Sequence, residues 1–146
     1  MVDQSNRTLC LSILHQLLAE GISTYEIEDK WPEVSDDPAI AAISGQMWHY
    51  YDDFPERRLG SKDLTDEVIQ MIERCILFLE SGQEYKWPVY SFETRNLKWF
   101  RRVFDFNGRK TREEWERFCS AGDPTVWRFL CRSDYNSVWE DKWSAL

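Results

Sequence analysis

The sequence predicts an all-α protein in which about seven short helices surround a tryptophan-rich core. Three observations support this fold class: apolar residues recur at spacings of three and four, caps and prolines bound these segments, and no segment reads clearly as a strand. The chain has 146 residues and 8 tryptophans. A chain of this length can bury most of those indoles in one core. We therefore expect one globular helical domain over residues 1–146.

The first two helices are predicted from a stripe of apolar residues and from their end signals. The stripe runs over residues 5–20, and Gly21 supplies a left-handed stop. A short helix then begins at Ser23-Thr24. It ends before Trp31-Pro32, because proline disfavours a helical residue in front of it.

The third and fourth helices are predicted from caps. Asp37-Pro38 places a capping residue before a proline at the first helical position, and it opens a helix that ends before Pro55. Thr65 caps the clearest helix of the chain, which Gly82 ends. The residues expected on its buried face are Val68, Ile69, Ile72, Cys75, Ile76 and Leu79.

The remaining helices are predicted for the second half of the chain. A helix is expected over residues 94–106, although alternating polar and apolar residues leave a strand open there. Thr111–Glu114 has the spacing of a capping box and opens the next helix. Asp123-Pro124 opens another that continues through Cys131, and a last short helix covers residues 133–142.

A weak internal echo relates two parts of the chain. A glycine-ended apolar helix precedes Trp31-Pro32, and a second one precedes Trp87-Pro88. Residues 9–54 and 68–106 would be the duplicated units. Duplication and coincidence both stay open, and the unequal spacings favour coincidence.

Charge is divided unevenly along the chain, which bears on partners and solubility. Residues 1–82 hold 6 Lys/Arg against 16 Asp/Glu, a net of −10, and residues 83–146 hold 12 against 10, a net of +2, which gives the formal −8. Carboxylates are densest over residues 20–37, where only Lys30 opposes them. The candidate partner-binding residues are Glu26, Glu28, Asp29, Glu33, Asp36 and Asp37.

A basic stretch with interleaved aromatics over residues 95–112 predicts an alternative, a nucleic-acid-associated module. Its candidate residues are Arg95, Lys98, Arg101, Arg102, Arg109, Lys110 and Arg112. The sequence pI of about 4.8 disfavours nucleic acid as a partner, because nucleic-acid binders usually carry an overall basic charge.

A second alternative is a small hydrolase or metal-dependent enzyme that uses His49 with Asp52 and Asp53. On a helix these carboxylates lie three and four residues beyond the imidazole, where they could orient it as a base or share a metal with it. Cofactor motifs and paired zinc-type cysteines are missing from the sequence. We therefore expect no cofactor and no metal.

The function expected from the sequence is protein binding without catalysis. The longest apolar run, residues 75–79, is far shorter than the ~20 residues of a membrane-spanning helix, and the first residues lack the pattern of a signal peptide. We expect a cytoplasmic protein, with no membrane partner. Its acidic residues would cover a basic surface on another protein, as an immunity or inhibitor protein of a bacterial or phage conflict system would.

Overall fold

The computed structural model describes residues 1–47, 56–88 and 109–144, with the backbone alone at positions 109–112, 114, 115 and 143. These residues form six α-helices and one two-stranded sheet. The all-α fold class with tryptophan in the core is confirmed. The contacts of the chain divide it into two compact units, Met1–Glu84 and Tyr85–Leu146. The single domain over residues 1–146 stays a prediction.

Helix α1 (Gln4–Ala19) begins and ends at local signals. The Asp3 carboxylate accepts a hydrogen bond from the Asn6 backbone N–H at 3.1 Å, which caps the first turn. Gly21 follows the helix at φ +78°, in the left-handed region that favours glycine. A Cβ there would lie 2.8 Å from the Leu59 carbonyl oxygen. The predicted stop is confirmed, and close backbone packing also requires the glycine.

Helix α2 (Thr24–Lys30) follows a short strand that the sequence did not predict. Strand β1 (Ile22–Ser23) pairs antiparallel with β2 (Arg58–Leu59), with Ile22 opposite Leu59. Two residues are too few to show an alternating pattern, so these strands give no sequence signal. Ser23 also closes a capping box with Glu26 at the start of α2.

Helices α3 (Pro38–Met47) and α4 (Asp66–Glu80) complete the first unit, with a 3-10 turn at Ser61–Asp63 before α4. Val68 and Ile69, both predicted on the buried face, are half-buried, and Val68 packs against the core as predicted. Both lie in the first turns of α4, and burial is deeper toward the other end of the helix. The buried residues of α4 are Met71, Ile72, Cys75, Ile76, Leu77, Phe78 and Leu79.

The core of the first unit forms where α1 packs against α4. Its α1 members, such as Leu14 and Leu17, contact the buried residues of α4 together with Ile40 and Ile43 of α3. Trp31 adds its indole to the same cluster. Burial of this apolar surface is the main force that holds these helices together.

The second unit contains helices α5 (Arg109–Ala121) and α6 (Arg132–Ser144). Helix α5 begins two residues before Thr111, so Thr111 lies in its first turn instead of at the cap. The predicted helix from Asp123-Pro124 through Cys131 is wrong, because only a 3-10 turn, Pro124–Val126, forms there. Arg128 has φ +103°, which no helix accommodates.

Aromatic rings pack together in the second unit. The Phe118 ring lies 4.7 Å from the Trp87 ring and 5.6 Å from the Trp127 ring, measured between centroids. Both indole N–H groups are satisfied: Trp87 donates to the Phe129 carbonyl at 3.0 Å, and Trp127 donates to the Tyr85 hydroxyl at 3.2 Å. These bonds give the rings fixed positions.

Several predictions fall on residues that the structure does not describe. The helix or strand at 94–106 lies outside the described residues, as do parts of both segments of the internal echo, 9–54 and 68–106. Among the helices that the structure describes, none is both long and apolar enough to cross a membrane.

Candidate protein-binding surface

A buried ion pair fixes the start of α3 to α1. Arg7 Nε donates to Asp37 Oδ2 at 2.6 Å and Arg7 Nη2 donates to Asp37 Oδ1 at 3.3 Å, with side-chain exposures of only 0% and 1%. The Asp37 carboxylate also accepts from the Ala39 and Asp3 backbone N–H groups, each at 3.1 Å. Asp37 therefore does not lie on an exposed surface, and the expectation that it would is corrected. The cap of α3 also serves as the partner of a buried guanidinium.

The Asp37 carboxylate stays charged in spite of its burial. Burial alone would raise the pKa of Asp37, but the hydrogen bonds from Arg7, Asp3 and Ala39 outweigh it and hold the pKa below the usual value. The Arg7 guanidinium carbon also lies 5.4 Å from the centre of the Phe78 ring, a cation–π contact. The Arg7 guanidinium of α1 thus contacts both Asp37 at the start of α3 and Phe78 of α4.

Residues at the start of α1 also hold the loop between α2 and α3. Asn6 Nδ2 donates to the Val34 carbonyl at 3.4 Å, and the Ser35 hydroxyl donates to Asp3 Oδ2 at 3.0 Å. We call Asp3, Asn6 and Arg7 the N-terminal clamp. The buried indole of Trp31 anchors the other end of the loop, so the loop is fixed at both ends.

The fixed loop presents carboxylates with one apolar side chain among them. Asp29, Glu33 and Asp36 are exposed, and Val34 is 86% exposed. We call these four residues the acidic surface. Within the described part of the chain, no hydrogen bond or ion pair engages the three carboxylates. Their charges are therefore directed to solvent.

The other two acidic candidates already have partners within the chain. Glu26 accepts from the Ser23 backbone N–H at 3.2 Å and from Lys30 Nζ at 3.0 Å. Lys30, followed by the Ser23 backbone, holds the pKa of Glu26 below its usual value. Glu28 is half-buried and has a partner. Glu26 and Glu28 are thus less free to meet a partner than the carboxylates of the acidic surface.

The residues of the two alternatives fall mainly outside the described part of the chain. This holds for His49, Asp52 and Asp53 and for four basic candidates: Arg95, Lys98, Arg101 and Arg102. The backbone of Arg109, Lys110 and Arg112 lies in the first turn of α5. Among the described residues, no group of three or more His, Cys, Asp or Glu could hold a metal ion. The enzyme and nucleic-acid interpretations stay predictions.

Sequence reasoning missed the residues that hold the loop. The sequence did contain one signal that Arg7 is buried. Arg7 precedes Cys10 and Leu14 at spacings of three and seven, which places it on the buried face of α1. A charged residue at such a position calls for a buried partner. No sequence pattern identified that partner as Asp37, 30 residues away.

Comparison of the chain with protein-family models, with curated proteins and with solved structures finds no match.

Proposed function

We propose that this chain is a protein-binding module without catalytic activity, which covers a basic surface on another protein. An immunity or inhibitor protein of a bacterial or phage conflict system is the form of this function that we favour. The observation that carries the proposal is the acidic surface: Val34 stands exposed between Glu33 and Asp36 on a loop held by the N-terminal clamp.

The charge of the acidic surface suits the approach of a cationic partner. Carboxylates without internal ion pairs attract such a partner over a distance and raise the rate of association. The negative charge is concentrated in the first 82 residues, which carry a net charge of −10. A nuclease or another nucleic-acid-binding protein has a cationic surface of this kind, and covering that surface would block its access to nucleic acid.

The fixed loop suits a tight complex. Binding costs free energy when loops and side chains must be ordered, and a loop held before contact lowers that cost. The hydrogen bonds of Asn6 and Asp3 to the loop are already formed in the free chain. Val34 supplies the apolar contact, because burying its side chain in a recess of the partner removes it from water.

The experiment starts with capture of the partner from the native host, using the full chain as bait, followed by association kinetics. The test variant is E33K/D36K. Its matched control is E140K/D141K, which makes the same change of charge on exposed residues of α6. We expect the test variant to slow association on the order of tenfold at low salt and the control to have a much smaller effect. Circular dichroism should show both variants folded.

Salt dependence is the second measurement. The Debye length falls from ~30 Å at 0.01 M to ~10 Å at 0.1 M salt, so wild-type association should slow over this range and the E33K/D36K variant should respond less. An acidic partner, or an association rate indifferent to salt, would contradict the proposal. Captured DNA or RNA that is lost on mutating Arg101 and Arg102 would assign the function to the basic stretch instead.

A further inference from the structure

Arg128 is a buried cation without a hydrogen-bond partner. It lies in the turn between the 3-10 segment and α6, and its exposure is 1%. Its Nε, Nη1 and Nη2 atoms are all buried, and none donates to any described residue. A buried arginine is normally paired, because an unpaired buried charge is unfavourable. Arg128 therefore requires an explanation.

Arg7 shows what this chain does with an arginine that has a structural role. Arg7 is equally buried, and two of its nitrogens donate to Asp37. The carboxylate nearest to Arg128 in sequence is that of Asp123, which accepts instead from Thr125 at 2.6 Å and from Arg132 at 3.4 Å. Within the described residues, Arg128 has no equivalent of Asp37.

The backbone of the turn holds Arg128 in an uncommon conformation. Among the described residues, Arg128 is the only non-glycine residue with a positive φ, at +103°. The turn is closed by the Asp123 backbone N–H, which donates to the Leu130 carbonyl at 2.9 Å. A Cβ at Gly122 would lie 2.2 Å from that carbonyl oxygen, so the backbones approach closely. Non-glycine residues held in such conformations cluster at ligand sites.

The Arg128 guanidinium lies over an aromatic ring. Its Cζ atom is 3.2 Å from the centre of the Trp127 ring, and the Trp127 indole is itself held by its bond to Tyr85. A stacked guanidinium keeps its N–H donors in its own plane, where they match two oxygens of a carboxylate or phosphate. The contact with Trp127 stabilises the cation and leaves its three buried nitrogens as donors for a ligand.

We propose that Arg128 is the receptor for an oxyanion, the carboxylate or phosphate group of a small ligand, in the second unit of the chain. Trp127 supports the guanidinium from one face. Because Arg128 is covered, the ligand enters by a local opening of the turn. This proposal is independent of the proposed function.

The test uses the full chain with sodium benzoate and sodium phosphate as probes, at constant ionic strength set with sodium chloride. The readouts are the Nε–Hε NMR signal of Arg128, tryptophan fluorescence and the melting temperature. We expect a saturable shift of the Arg128 signal and a raised melting temperature. A response to benzoate alone identifies a carboxylate, a response to phosphate alone identifies a phosphate, and a response to both identifies the shared oxyanion chemistry.

The variant R128M removes the donors and keeps a long apolar side chain. It should weaken anion binding by about tenfold to a hundredfold, the loss expected when hydrogen bonds to a charged group are removed. The matched control is R117M, the same substitution at an exposed arginine of α5. It should leave anion binding unchanged.

Three results would overturn the proposal. The first is the absence of a saturable shift with either probe, and the second is binding that R128M leaves unchanged. The third is a fall in melting temperature that E93Q, D105N or E114Q reproduces to the same extent as R128M, because a carboxylate of the chain itself would then be the partner. These three residues carry the carboxylates of the second unit that lie outside the described side chains. The NMR titration of the wild-type chain decides the matter even if R128M fails to fold.

Discussion

At the scale of single residues, the ion pair of Arg7 and Asp37 has the largest effect on how α1, the loop and α3 are arranged. A buried ion pair adds little stability compared with two well-packed apolar residues, but removal of one partner leaves an uncompensated charge. Here the pair also satisfies the first turn of α3 and the Asp3 backbone N–H. Its role is to fix one arrangement of α1, the loop and α3.

The substitution Asp37→Asn tests this role. Asparagine is also a good helix cap, so the change removes the charge and little else. We expect the free energy of unfolding to fall by about 3–5 kcal/mol, because Arg7 is left buried and unpaired. Urea unfolding at pH 7 measures it, with Asp36→Asn on the exposed surface as the control. A loss as small as that of the control would refute the role.

The pH dependence of stability follows from the lowered pKa of Asp37. Its pKa in the folded chain lies below the ordinary value of 3.8, so the unfolded chain binds the proton more readily. The contribution is present above that ordinary value and is lost as the pH falls through the lower folded pKa. Between pH 5 and pH 2, the wild-type free energy of unfolding should fall more steeply than that of Asp37→Asn. Parallel curves would show that Asp37 titrates normally.

The four cysteines should differ in reactivity. Burial, with the charge of Asp37 next in effect, raises the pKa of the Cys10 thiol to about 12, and Cys75 is also buried, whereas Cys119 and Cys131 are half-buried. Since the thiolate is the reactive form, iodoacetamide at pH 8 should modify Cys119 and Cys131 first. Peptide mass spectrometry measures the order. Modification of Cys10 as fast as Cys131 would contradict the structure.

At the scale of elements, helices whose ends depend on neighbouring residues could be predicted from the sequence. Elements that depend on contacts with more distant residues could not. The ends of α1, α2 and α4 could be read from Gly21, Ser23 and Gly82, because a cap involves only neighbouring residues. The segment after Asp123 failed for the opposite reason. There the backbone closes onto Leu130, seven residues away, and ends the helical turn that Asp123-Pro124 begins.

The buried face of α4 gives a graded test of packing. Ile72 is fully buried and Ile69 is half-buried. Ile72→Ala should lower the free energy of unfolding by about 2–5 kcal/mol through lost burial and the cavity left behind. Ile69→Ala should cost clearly less. Chemical unfolding of both variants makes the comparison, and equal losses would mean that the helix is rotated about its axis.

At the scale of the whole molecule, the sequence predicted the fold class and part of the candidate site. Composition and periodicity are properties of the entire chain, and they were enough for an all-α, tryptophan-rich protein. Density of charge located Asp29, Glu33 and Asp36, but it could not separate them from Asp37. That distinction depends on which carboxylate meets Arg7, and a partner 30 residues away leaves no local mark.

Salt should act on the whole molecule in two opposite directions. The chain carries a formal charge of −8, and screening relieves the repulsion between its own carboxylates. Raising sodium chloride from 0.01 M to 0.15 M should therefore raise the melting temperature while it slows association with a cationic partner. Differential scanning calorimetry measures the first effect. A melting temperature that falls with salt would show that attractive ion pairs dominate.

The hydrogen bonds that Asp3 makes with the loop and with α3 have a practical consequence for anyone who trims or tags the chain. Deleting residues 1–3 removes no part of the acidic surface and no residue of the buried core. It does remove the cap of α1 and two of the bonds that restrain residues 35–37. The loop would sample more conformations, and each docking event would have to freeze them again. If the acidic surface binds a partner as proposed, a chain shortened in this way would keep that surface and still bind more weakly.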